Sequence, residues 1–473
     1  MSRLSTFEKR EPWLRWSFPS TKLVLGGSAV AILGLALTAL SALFGLLADI
    51  APMLAPRVQG IVGAAATMLV VSGLVLAASG IAWGLMMFPR QRLKFYARKT
   101  LYAHRFGNPL SLKEGERLPD LKVIEDEPGV FWLEVLAIAV TVEELEATQS
   151  ALSSGVRGKL YGHAVTVTDA DPAARHVRFK IEDVTVDRSI TVASLDDLAT
   201  GDVTRLTVQK GAQIDLTTSG SIVAAGKTRS GKTTGVLALL VQVLSFGPDQ
   251  YGSRVVIVDP KQAELSRVPN TVTLDAEGTA RPILDAMREF EQTVKLRQAG
   301  LNDASEVRGD AVKWWERDMH PAFLFLDEFV ALRSLIPARA EKDTPDYCVK
   351  SFDDSLRRII TMGASAGCYV IVSIAQASAD QIPTMLRDAF STRVLFRPTP
   401  DEGRLLWDSD RIAALPHRVY GPGDAWFSST DGVHDAVSYV HFPRFAPGFG
   451  EYRVLGELLT EYHQASTRRD LPV

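Results

Sequence analysis

An α/β fold with a central, mainly parallel sheet follows from three stretches of the sequence. Gly226 to Thr233 reads Gly-Lys-Thr-Arg-Ser-Gly-Lys-Thr, with Ser-Ile-Val-Ala-Ala before it and Thr-Gly-Val-Leu-Ala-Leu-Leu after it. That is a short apolar strand, a tight loop and a helix. Arg254 to Val258 is a second apolar run, ending in Asp259-Pro-Lys-Gln-Ala-Glu-Leu265. Phe323 to Leu326 is a third, ending in Asp327-Glu328. Tyr369 to Ala375 and Arg393 to Phe396 have the same strand character.

The 226–233 pattern, G-x-x-x-x-G-K-[ST], is a phosphate cradle. Gly226 and Gly231 let the backbone bend so that successive N–H groups, from Lys227, Thr228, Arg229 and Ser230 onward to Thr234, face a β-phosphate at a helix N-terminus. Lys232 adds a point charge near the β- and γ-phosphates, and Thr233 offers a hydroxyl to Mg²⁺. ATP with Mg²⁺ is the expected ligand. Both later runs end in Asp, and the acidic pair decides between them. Asp327 can hold the metal's water shell while Glu328 polarises an attacking water, whereas Asp259 is followed by a proline that stops the strand. Gln376, delivered by the Tyr369–Ala375 run to the carboxyl edge of the sheet, can sense a γ-phosphate without adding charge. Arg393 could reach from a sheet edge into a neighbouring subunit's site, with Arg387 and Arg397 as competitors.

The 473 residues suffice for two to four domains, and 46% hydrophobic content with ordinary charge reads as folded. Charge is unevenly placed. The first 100 residues hold 11 Lys/Arg against 3 Asp/Glu, and the remainder holds 41 against 52. This excludes a surface coated with nucleic-acid-binding charge and makes any such contact local. Cys348 and Cys368 lack a CxxC or a His-rich partner, so neither a disulfide framework nor a zinc site is expected.

Residues 23–48 and 58–88 contain no charged side chain, and each exceeds the ~20 apolar residues that cross a bilayer. Arg3, Lys9, Arg10, Arg15 and Lys22 precede the first span, and Arg90, Arg92, Lys94, Arg98 and Lys99 follow the second. A transmembrane hairpin with both termini cytoplasmic is the expectation. Gly73, Ala77, Gly80 and Gly84 share one helix face and would permit close helix approach.

A basic juxtamembrane linker, 89–120, leads to a small α+β domain, 121–205. Val130 to Val140, Ala164 to Thr168 and Val177 to Ile181 are its strand-like runs, and Thr141-Val-Glu-Glu144 is a capping box opening a helix to about Ser154. With no catalytic cluster, this part reads as a spacer or oligomerisation domain. The phosphate-loop domain is expected over 206–448, between that domain and a tail at 449–473, and residues 1–22 form an N-terminal tail.

At this point the sequence resembles the FtsK/SpoIIIE family of DNA-pumping ATPases. The resemblance rests on the phosphate loop at 226–233, the intact Asp-Pro-Lys-x-x-Glu-Leu signature at 259–265, Leu326-Asp327-Glu328 as Walker B, and Ala375-Gln376 for the family's Thr-Gln. Ser391 to Phe396 is similar to the strand bearing the family's arginine finger, and Gly421-Pro-Gly-Asp424 to a late turn. The resemblance covers about 206–445. It implies a P-loop, RecA-like domain, a homo-oligomeric, hexameric ring, double-stranded DNA as partner, and ATP hydrolysis at the cytoplasmic membrane. The chain ends soon after that region, so the family's C-terminal DNA-reading domain is not expected, and neither is its long linker between membrane and motor. A short, two-span, single-motor chain looks more like the family's conjugative-transfer members, which implies other transfer proteins as partners. DNA contact by pore loops falls on Lys295, Arg297 and Arg308, with Lys261 a weaker candidate. Trp314 and Trp315 read as packing or interface residues. Two alternatives stay open: a type VII-like protein-export ATPase, and a coupling ATPase for single-stranded DNA with a relaxase.

Overall fold

The structure is a computed structural model that describes residues 18–46, 55–101, 121–127, 129–136, 141–149, 151–152, 163–171, 173, 175–183, 186–248, 255–375, 388–408, 412, 415, 420–432 and 434–469. The chain divides into two compact units, Met1–Asp183 and Val184–Val473.

The first unit begins with two long helices, α1 (Phe18–Leu46) and α2 (Ala55–Leu101). Within them, Leu23–Leu43 and Arg57–Trp83 are long and apolar enough to cross a membrane. Small residues set their approach. A Cβ on Gly27 would lie 2.5 Å from the Gly73 carbonyl oxygen, and one on Gly73 would lie 2.5 Å from the Ala31 nitrogen, so the backbones meet where no side chain fits. Of the small-residue stripe, Gly73 and Gly80 are buried, while outward residues such as Leu25, Ile32, Ile61 and Met68 are more than half exposed. The expected linker is helical as far as Leu101, and Leu93, Tyr96 and Ala97 pack into the core of the sheet that follows. That sheet is antiparallel, ordered β1-β2-β4-β3, from β1 (Leu121–Glu127), β2 (Val130–Leu136), β3 (His163–Asp171) and β4 (His176–Asp183). The capping box forms: the Thr141 N–H donates to Glu144 Oε2 at 3.0 Å and the Glu144 N–H to Thr141 Oγ1 at 3.2 Å. The helix it opens, α3, is shorter than expected, Val142–Glu146.

The second unit starts earlier than the sequence suggested. Residues 184–205, expected in the small domain, group here, because β5 (Thr191–Val192) pairs with a late strand, β15 (Arg444–Phe445). A hairpin of β6 (Arg205–Gln209) and β7 (Ala212–Asp215) is tied to α4 (Lys232–Ser245) through Gln242, whose Oε1 accepts the Thr207 N–H at 2.7 Å. The central sheet has seven strands. Five run parallel in the order β12-β8-β11-β10-β9: β12 (Thr392–Phe396), β8 (Ile222–Gly226), β11 (Cys368–Ile374), β10 (Ala322–Leu326) and β9 (Val255–Val258). Two antiparallel strands, β13 (Asp424–Ser429) and β14 (Ser438–His441), extend it beyond β12. Strands β8, β10 and β11 are buried at every position, as strands covered on both faces require. Helices α5 (Arg281–Arg308), α6 (Phe329–Leu335), α7 (Val349–Gly363) and α8 (Pro400–Leu406) connect the strands.

The region expected as a tail is α9 (Glu451–Arg469), and it completes the core. Leu455, Leu459 and Tyr462 are buried in the same cluster as α4, and the Tyr462 hydroxyl donates to the Gly247 carbonyl at 2.6 Å.

Candidate nucleotide-binding site

The loop between β8 and α4 has the backbone a phosphate cradle needs. Gly231, the N-cap of α4, sits at φ 89°, and a Cβ there would meet the Gly423 nitrogen at 2.4 Å. Only glycine fits both the conformation and the space. Arg229 also takes a left-handed conformation, φ 63°. Lys227, Thr228 and Arg229 are exposed at the loop's rim, Thr233 and Thr234 are half-buried in the first turn of α4, and Ser230 is 1% exposed. The Ser230 hydroxyl has no hydrogen-bond partner among the described residues. A buried hydroxyl without a partner is costly, and a polar ligand here would relieve it. Lys227 pairs with Glu402 at 3.5 Å.

Lys232, 7% exposed, donates from Nζ to the Ile374 carbonyl at the end of β11, 2.9 Å away. Burial pulls its ammonium below the usual lysine range, against the opposing pull of the Glu328 and Asp327 carboxylates. Asp327 follows β10 directly. Burial pushes its carboxyl up, as do Glu328 and Asp259, while the Ser373 hydroxyl and Lys232 draw it down. Incoming positive charge would favour the ionised form. The nitrogen-rich loop, Lys232, the Thr233 hydroxyl and Asp327 therefore fit a nucleotide phosphate chain with a divalent cation, with Thr233 and Asp327 as the cation's protein donors.

Glu328 is the N-cap of α6 in a left-handed conformation, φ 46° and ψ 53°, and Lys261 Nζ lies 2.7 Å from its Oε1. Asp259 has a different task. Fully buried, it accepts the N–H groups of Lys261 at 3.0 Å, Ala263 at 2.9 Å and Ser266 at 3.0 Å, and so shapes the 259–266 loop.

The Gly421–Asp424 turn braces the phosphate loop. The Gly423 N–H donates to the Ser230 carbonyl at 2.9 Å. Asp424, 5% exposed, fixes the turn by accepting from the Gly421 N–H at 2.6 Å, from the Tyr439 hydroxyl at 2.7 Å and from His441 Nδ1 at 2.6 Å. Sequence reasoning saw this turn only through family resemblance. Its role depends on β12 pairing with β8 on one side and β13 on the other, which brings together segments far apart in sequence. Ser373 and the Ile374 carbonyl were likewise missed, since nothing local marks an apolar strand end as a lysine's anchor.

Several expected residues are placed elsewhere. Gln376 and Arg387 lie outside the described residues. Arg393 is not at a sheet edge: β12 is interior, and Arg393 stands opposite Val223, three residues before Gly226, about 10 Å back from the carboxyl end at the usual rise per residue. Its Nη1 donates to the Leu406 carbonyl at 2.5 Å, and Nη2 lies 3.8 Å from Asp388. Arg397, exposed and at φ 48°, is the arginine at the carboxyl edge, with Nε donating to the Tyr420 carbonyl at 3.1 Å. Of the DNA-contact candidates, Arg297 is corrected outright. It is 0% exposed, and its Nη1 donates to the carbonyls of His320 at 2.8 Å and Ala366 at 3.2 Å, so it fastens α5 to the core. Lys295 is exposed but lies 3.2 Å from Glu291. Burial would raise that carboxyl, yet Arg358, Ser355 and Lys295 bring it to about 2. Arg308 pairs with Glu316 at 2.7 Å. Trp314 is wholly buried, edge-on to Tyr369.

Fold and site together define a P-loop ATPase domain. No family model matches the chain. It is 26% identical over 268 residues to the DNA translocase FtsK of Pseudomonas putida, covering 47% of this chain and 30% of that protein. It is 23% identical over 182 residues to the Ftsk domain-containing protein YdcQ of Bacillus subtilis, covering 38% and 35%. The matches thus span about a third of those relatives' own length. Among solved structures, the pCW3 conjugation coupling protein TcpA, in monomer form with ATPγS, aligns over 77% of this chain and 99% of that one, at 14% identity and a TM-score of 0.45. The stretch that carries these matches is similar to the FtsK proteins over the phosphate-loop region.

Proposed function

We propose that this protein is a membrane-anchored, ATP-driven translocase of double-stranded DNA that serves conjugative or mobile-element transfer. The observation that carries the ATPase reading is the convergence of Lys232, Asp327 and Glu328 beside a loop whose left-handed Gly231 admits only glycine. In this reading Thr233 and Asp327 hold Mg²⁺, which supplies charge neutralisation at the phosphates. Lys232 orients the β- and γ-phosphates, and Glu328 takes a proton from the attacking water. Similarity to proteins named DNA translocase FtsK supports DNA as the substrate, and the family resemblance of the sequence motifs implies its duplex form. The two apolar helices, with basic residues before the first and after the second, support a hairpin in the cytoplasmic membrane with both termini inside. A hexameric ring, with Gln376 and an arginine completing a shared site, is the assembly this chemistry calls for.

The test is ATP turnover by the full chain in lipid nanodiscs with duplex DNA, single-stranded DNA or neither. Duplex stimulation that weakens steeply with salt is expected. Absence of stimulation by duplex at low salt refutes the DNA reading. Lys232→Ala should abolish nucleotide binding, and Glu328→Gln should bind ATP without turning it over. An active periplasmic reporter fused after Val473 would overturn the topology.

A further inference from the structure

Lys261 has no part in the chemistry described so far, yet its ammonium lies 2.7 Å from Oε1 of Glu328. Its position is fixed by the fold. Buried Asp259 accepts the Lys261 N–H, the neighbouring Gln262 is left-handed at φ 53°, and the Asp327 N–H donates to the Val258 carbonyl at 3.0 Å, tying this loop to the end of β10. The two lysines of the site are held differently. Lys232 is 7% exposed and anchored on a backbone carbonyl, whereas the Lys261 side chain is 49% exposed and engages a carboxylate. Glu328 is largely sheltered, its side chain 19% exposed, but the Lys261 end of the pair is open to solvent, and an ion pair open to solvent is weak and exchangeable. Lys232 is anchored at the end of β11, and Lys261 engages the residue pair that follows the adjacent β10, so both cations border the volume at the carboxyl edge of these two strands. A γ-phosphate entering that volume carries more negative charge than one carboxylate and offers three acceptor oxygens.

We propose that Lys261 is a γ-phosphate ligand stationed on Glu328: a bound nucleoside triphosphate draws the ammonium away from Oε1 and frees that carboxylate for the attacking water. Glu328 is thereby restrained until the phosphate to be cleaved is present. A nucleoside diphosphate, lacking the γ-phosphate, leaves the pair closed. The inference rests on the ATPase reading above and is independent of what the protein moves.

The experiment measures ADP and ATPγS affinities of the full chain in nanodiscs by calorimetry. Lys261→Met is expected to weaken ATPγS about tenfold, the scale of one charge-assisted bond, with ADP affinity within about twofold of wild type. Unchanged ADP binding reports an intact fold. Lys261→Arg should keep most of the preference for ATPγS. Glu328→Gln should strengthen ATPγS binding, because the competing carboxylate is gone, and this gain should vanish in the Lys261→Met/Glu328→Gln double variant. The proposal is overturned if Lys261→Met keeps the wild-type ratio or weakens both nucleotides equally. It is also overturned if the Glu328→Gln gain persists in the double variant, which would mark simple relief of repulsion. A wild-type chain that binds neither nucleotide defeats the ATPase reading itself, an outcome distinct from these.

Discussion

Replacing Asp424 with alanine removes the keystone of the turn that supports the phosphate loop. Three donors lose their acceptor at once: the Gly421 N–H, the Tyr439 hydroxyl and His441 Nδ1. Each net bond is worth about 1 kcal/mol, and more to a charged acceptor, so a loss of about 3 kcal/mol is expected at pH 7. In a unit spanning Val184–Val473 that lowers the unfolding midpoint by roughly 5 °C. Thermal unfolding followed by tryptophan fluorescence reads it directly, since Trp426 lies in β13 and is 2% exposed. The pH dependence has a definite sign. Burial pushes the Asp424 carboxyl up, but His441, Tyr439 and the Gly421 N–H more than offset it, and the folded value is depressed. Stability from a depressed carboxyl is complete above the unfolded pKa of about 3.9 and is lost as pH falls through the folded value. The gap between wild type and Asp424→Ala should therefore stay constant from pH 7 to about 5 and narrow below about 3.9. Nucleotide affinity should fall as well, because the Gly423 N–H no longer holds the Ser230 carbonyl in place. A midpoint within about 2 °C of wild type at pH 7, or a gap that widens in acid, refutes the reasoning.

Gly231→Ala places a Cβ 2.4 Å from the Gly423 nitrogen at a positive φ, and should abolish nucleotide binding while leaving far-UV circular dichroism unchanged. Arg297→Met removes a buried cation that bonds two backbone carbonyls, and is expected to cost about 1–3 kcal/mol in denaturant titration with no change in the salt dependence of DNA binding. Leu455→Ala, on a fully buried position of α9, should lower stability by about 2–5 kcal/mol, a loss that a dispensable tail would not show. Gly73→Leu should separate the hairpin helices, read as lost cysteine cross-linking between introduced pairs flanking Gly27 and Gly73.

The parallel sheet, the phosphate loop with its lysine, the acidic pair and two spanning-length helices were all legible in sequence. Each strand, the loop and the acidic pair are written within about ten consecutive residues and each apolar helix within one uninterrupted run, where backbone conformation, run length and a terminal polar group suffice to specify them. The capping box at Thr141 and Glu144 formed for the same reason. What tertiary structure decided is where charges end up. Arg297, Lys295, Arg308 and Lys261 are equivalent as letters in a sequence, yet one is sealed in the core, two pair beside their own helix and one meets Glu328. Strand order decided that Arg393 lies inside the sheet and that Asp424 stands behind the phosphate loop. A terminal segment with only a modest apolar pattern proved to be core because α4 leaves a face for it to cover. Local chemistry fixes which groups are available; only the packing of distant segments determines which of them meet, since a long side chain's partner is set by the neighbours the fold brings within a few ångströms.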